Sequence, residues 1–91
     1  MKKEVLLSRL RQFKKDVDNA NDALINEAIV TMANRLITDA KEYYKEDLSD
    51  LEVIKTAQYG SVEKGSKQEA SVTLGQAIVA FEEDVEGHAV A

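Results

Sequence analysis

Apolar residues recur along this chain with a helical period in its first half and a shorter period later. From Ala23 to Tyr44, the positions Ile25, Ile29, Met32, Leu36, Ala40 and Tyr43 fall four and three apart, which lines one stripe of a helix of ~3.6 residues per turn. Leu24, Ala28, Ala33, Ile37 and Tyr44 widen the stripe, so this helix is expected to form the centre of the core with Leu36 in its middle. Asp22, Glu27, Asn34, Arg35, Asp39, Lys41 and Glu42 make up a solvated back. Ahead of it, Lys3 to Val17 predicts a shorter amphipathic helix carrying Leu6, Leu10, Phe13 and Val17. The intervening Asp18-Asn19-Ala20-Asn21-Asp22 holds short polar side chains that compete for backbone hydrogen bonds and favour caps. At ~100° per residue the two stripes are centred about 100° apart, so one straight helix would bury two different faces. A break is expected here; a single bent helix from Lys3 to Glu46 is the alternative. The charged, turn-prone Lys45 to Asp50 should end the second helix.

After Ser49 the pattern supports two readings. Glu69-Ala70-Ser71-Val72-Thr73-Leu74 alternates polar and apolar residues, as a half-buried strand does. Ile78-Val79-Ala80-Phe81 is an apolar run of strand length, and Gly75-Gln76 between them suits a two-residue hairpin turn. Upstream, Val53, Ile54, Thr56, Tyr59 and Val62 mark a further strand between Leu51 and Val62, and Glu63-Lys64-Gly65-Ser66 reads as a turn. The competing reading is helical: Ser49-Asp50-Leu51-Glu52 and Ser66-Lys67-Gln68-Glu69 both match a capping box, and Gly60 is placed to close a helix. The change of period predicts an α+β fold, N-terminal amphipathic helices packed on a small antiparallel sheet; an all-α helical domain is the alternative.

Ninety-one residues make a single domain, 1–91. A chain of this size buries only ~60–65% of its unfolded surface, which favours self-association. Its 44% hydrophobic and 32% charged residues describe a soluble globular protein. No membrane span is expected, and the charges within MKKEVLLSRLRQF interrupt what would be the apolar core of a signal peptide. Cysteine is absent, which removes disulfides, thiolate metal sites and cysteine nucleophiles. The net charge of −5 is unevenly spread: residues 1–15 hold six Lys or Arg against Glu4 alone, while residues 49–91 hold three Lys against eight Asp or Glu. Lys2, Lys3, Arg9, Arg11, Lys14 and Lys15 form a basic end, and Glu82, Glu83, Asp84 and Glu86 an acidic one. Either both are solvated faces, or they dock head to tail between copies in a contact that includes Phe81. Direct nucleic-acid binding is not expected, because the acidic body repels phosphates and Phe13 is the one aromatic among the basic residues.

No catalytic constellation emerges, and the chain is not expected to be an enzyme. The acidic run lacks the spaced ligands and glycine turn of a Ca²⁺ loop. His88 has no Ser or Cys placed to form a triad with it. Gly60-Ser-Val-Glu-Lys-Gly65 lacks the Lys-Ser/Thr pair of a phosphate loop. No cofactor, metal or small-molecule ligand is expected, and Tyr43 and Tyr44 read as core and core-edge residues.

The order of features from about residue 14 to 88, and Gln76 to His88 (QAIVAFEEDVEGH) above all, resembles the small tail-completion and head–tail joining proteins of long-tailed bacteriophages. In that family an amphipathic helix ending near an Ala-Lys pair is followed by a polar loop, a strand, a turn and a second strand that ends in an aromatic and an acidic stretch. Ala40-Lys41 matches the helix end, Asp47 to Ile54 the loop and first strand, Ala77 to Phe81 the second strand, and Glu82 to Glu86 with His88 the acidic end. The Thr-Gly-Leu usual in the family's loop is here Asp47-Leu48-Ser49-Asp50-Leu51. The resemblance implies a virion structural protein of the neck or tail, a homo-oligomer whose partners are its own copies and neighbouring virion proteins. It would be made in the host cytoplasm and carried into the virion. A second reading from the acidic run is a small inhibitor that occupies a basic site on a target protein by imitating nucleic acid.

Overall fold

The computed structural model describes residues 2–85. Helix α1 spans Lys3–Asp18, strand β1 Leu24–Asn26, helix α2 Glu27–Tyr43, strands β2 and β3 Thr56–Tyr59 and Val62–Ser66, and helix α3 Lys67–Val85. The fold is α+β: three helices on a three-stranded antiparallel sheet of order β1-β3-β2. The break between the first two helices lies where the polar stretch places it, with α1 ending at Asp18. Leu24–Asn26, expected inside the second helix, instead forms the short strand β1, with Ile25 opposite Gly65. The Asn26 side chain then accepts a hydrogen bond from the Ile29 N–H at 2.9 Å and starts α2.

The last third of the chain differs most from expectation. Residues 69–81 are not two strands joined at Gly75-Gln76; they lie within one helix, α3. In a strand, Ala70, Val72 and Leu74 would share a face, yet Val72 is 54% exposed while Ala70 and Leu74 are fully buried. The buried set Ala70, Thr73, Leu74, Ala77, Ile78 and Phe81 has helical spacing, and Val79 faces outward. Ser66 begins the helix by accepting the Glu69 N–H at 3.2 Å, as the capping box there allows. The segment that the phage resemblance places as its second strand is thus helical. The strands lie upstream: Gly60-Ser61 is the hairpin turn, Gly60 at φ +66° supplies the positive φ its first position requires, and residues 63–66, expected as a turn, belong to β3.

α2 also sits in a different phase. Its buried residues are Val30, Ala33, Ile37 and Ala40, whereas Met32 is 55% exposed and Leu36 only partly covered. At ~100° per residue the buried face is rotated by about 80° from the stripe centred on Met32 and Leu36. The reason is the sheet, which meets α2 on its Val30 side: a Cβ added at Gly65 would lie 2.7 Å from Val30 Cγ2 and 3.4 Å from Ile54 Cγ2. Gly65→Ala is therefore expected to cost about 1–3 kcal/mol by overpacking, because the branched Val30 side chain has little rotamer freedom in a helix. Denaturant titration checks this, and Val30→Ala in the same chain should recover part of the loss.

Side chains expected on the solvated back of α2 hold the connection to the hairpin. Asn34 donates to Ile54 O at 3.0 Å and accepts from Ile54 N at 2.8 Å, and Lys41 Nζ donates to Leu51 O at 2.6 Å. With Leu48, Leu51 and Ile54 buried, these bonds order a stretch that has no regular structure of its own.

Candidate protein-contact surfaces

α1 and α3 run antiparallel, which follows from Lys3 meeting Asp84 at one end and Asp18 accepting from Ser71 at the other. Lys2 and Lys3 set two charges of the wrong sign for the dipole at the start of α1, against Glu4 of the right sign, and Glu82, Glu83 and Asp84 do the same at the last turn of α3, which holds no basic residue. Antiparallel pairing brings these two ends together and offsets both mismatches. Lys3 Nζ lies 2.9 Å from Asp84 Oδ2, and Arg11 lies 2.7 Å from Glu82 Oε2. The basic and acidic ends thus meet within one chain. Each of these side chains is about a third or more exposed, so each pair contributes at most ~1 kcal/mol.

Beneath the Lys3–Asp84 pair lies an aromatic junction of all three helices. Phe81 is fully buried, packed edge-on against Tyr44 at a centroid distance of 4.7 Å and against Tyr43 at 5.9 Å. Tyr44 donates its hydroxyl proton to Asp84 at 2.6 Å. Burial, then this bond, holds the phenol well above its ordinary pKa. Lys3 Nζ sits 5.4 Å from the centre of the Tyr44 ring.

The other residues singled out in the sequence are scattered. Lys14 bonds Asp18 one turn along at 2.7 Å, and that bond, then the one from Ser71, holds the Asp18 carboxyl below its usual range. Lys2 and Lys15 are exposed. Arg9 borders a groove between α1 and α2. Glu83 borders a cleft with Asp47, Asp50, Leu48, Leu51 and Val79. Glu86 and His88 lie outside the described residues.

Two surfaces that the sequence reading did not single out are uncovered. The first is the hairpin. β1 reaches only as far as Lys64 on β3, so from there to the turn β2 and β3 form a two-stranded ribbon. Its facing pair Tyr59 and Val62 are 47% and 50% exposed. Among the described residues no strand pairs with the outer edge of β2, whose residues Thr-Ala-Gln-Tyr include no charge and no proline to block such pairing. The second is the α1–α2 groove, about 370 Å³, floored by Phe13, Met32 and Leu36 and bordered by Arg9, Gln12, Asp16, Arg35 and Asp39. Among the described residues no helix is long and apolar enough to cross a membrane.

No protein-family model, curated protein or solved structure matches this chain.

Proposed function

We propose that this chain is a structural protein of the neck or tail of a long-tailed bacteriophage that works by assembly, through protein–protein contacts with its own copies and with neighbouring virion proteins. The observation that supports this best is the hairpin ribbon. An isolated two-stranded ribbon is marginally stable in water, and this one leaves an uncharged outer edge and an exposed Tyr59–Val62 pair where a neighbouring subunit's strand can add. The resemblance of the Ala40-Lys41 helix end and of the acidic run Glu82 to Glu86 supplies the phage setting. Synthesis in the host cytoplasm and incorporation into the particle follow from that role. Assembly is favoured over the inhibitor reading because Glu82 and Asp84, which would have to imitate phosphates, are engaged by Arg11, Lys3 and Tyr44.

The test is a phage carrying Ala57→Lys and Tyr59→Lys in this chain. Both residues are exposed, so the variant should keep the helical circular-dichroism spectrum of the parent. Electron microscopy of lysates should then show separate heads and tails or unfinished tails. Normal, infectious particles at parental yield would refute the role of the β2 edge.

A further inference from the structure

α2 carries two apolar stripes side by side, and the chain covers one. Val30, Ala33, Ile37 and Ala40 are buried in the core; Ile29 and Leu36 are partly buried and Met32 is 55% exposed. On α1, Phe13 is only partly covered. Phe13, Met32 and Leu36 form the floor of the α1–α2 groove. An apolar floor left open in a chain with a small core points to a partner.

The border of the groove identifies that partner. It holds two cations, Arg9 and Arg35, and two carboxylates, Asp16 and Asp39. Gln12 donates to Asp16 at 3.0 Å, whereas the side chains of Arg9, Arg35 and Asp39 make no hydrogen bond or ion pair among the described residues. A nucleic acid or an acidic protein would meet both carboxylates, and a basic partner both arginines. A surface with equal and opposite charge around an apolar strip complements itself: in a two-fold contact residue i meets j of the other copy and j meets i. Helices of 16 and 17 residues present at most a face of roughly 25 by 20 Å, about 500 Å², below the ~800 Å² per partner of a standard interface, so the pair should be weak and concentration-dependent.

We infer that the α1–α2 face is a two-fold self-association surface: a second copy of this chain lays its own α1 and α2 on the Phe13–Met32–Leu36 strip, with arginines of one copy opposite aspartates of the other. The contact uses no residue of the hairpin and does not depend on the phage reading. Burying Met32 and Leu36 in the pair also accounts for an apolar sector on α2 wider than the monomer core needs.

Sedimentation equilibrium of the full chain from micromolar to millimolar concentration tests this. The parent should approach the mass of a dimer as its concentration rises. Met32→Glu should weaken the dimer at least ~30-fold, with circular dichroism unchanged because the residue is mostly exposed in the monomer. Arg35→Glu alone should weaken it about tenfold or more by leaving the border all acidic on one side, and adding Asp39→Arg should restore it. A chain that stays monomeric throughout overturns the inference. So does a dimer indifferent to Met32→Glu and Arg35→Glu, or one that dissociates instead with Ala57→Lys and so pairs through the hairpin edge.

Discussion

Phe81→Ala is expected to destabilise the chain by about 3–5 kcal/mol, the loss typical of emptying a fully buried aromatic site. Phe81 has no exposed surface, and it supports two tyrosines edge-on where the three helices meet. Removing the ring leaves a cavity and also loses two aromatic contacts of roughly 0.5–1.5 kcal/mol each. Small domains have about 5–15 kcal/mol in all, so the variant should unfold at a much lower urea concentration or be largely unfolded without denaturant. Phe81→Leu, which keeps most of the volume, should lose much less. A loss under about 1 kcal/mol for Phe81→Ala would mean that the α3 C-terminus does not pack on Tyr43 and Tyr44.

Ile37→Ala should cost about 2–5 kcal/mol in the same titration, and Leu36→Ala distinctly less at protein concentrations where the chain is monomeric. Both are large aliphatic residues near the middle of α2, so the comparison reads the phase of the helix. Ile37 is fully buried, and Leu36 is only partly covered, on the groove side. Equal losses, or a larger one at Leu36, would place the core on the stripe that the bare spacing suggests.

The first half of the fold was legible because its signals are strong and local. Leu6, Leu10 and Val17 are buried as the α1 stripe requires, and the polar Asp18–Asp22 stretch ends that helix. The phase of α2 was hidden because apolar residues occupy a wider arc than the monomer buries, and spacing alone does not say which part faces the sheet. α3 was hidden by its composition: its buried face uses Ala70, Thr73 and Ala77, which carry little hydrophobic signal. The conspicuous β-branched Val72 and Val79 point outward and produce a strand-like alternation. The Ser66 capping box was the correct local cue, and Gly60 rather than Gly75 was the hairpin glycine.

Charge was legible in outline and misplaced in space. Opposite ends of the chain carry opposite charge, and they meet, but residues 81 positions apart pair within one molecule. The clamp of Asn34 on the Ile54 backbone left no trace, because an amide at a half-buried position looks like any solvated residue until the loop it holds is placed. The groove floor lies on positions that the spacing assigns to the core, Met32 and Leu36 of the α2 stripe and Phe13 of the α1 stripe. Which part of a broad apolar arc stays open depends on how the sheet docks, and that depends on Gly65.

The proposed assembly role is tested most directly by quantitative mass spectrometry of purified, infectious particles from a lysate in which this chain is expressed. The chain should be present at a fixed, small copy number relative to the portal and major tail proteins, as a ring or completion component would be, and should stay with the particles through a density gradient. Its absence from particles, while it accumulates in the infected cell free or bound to a non-virion protein, would contradict that role.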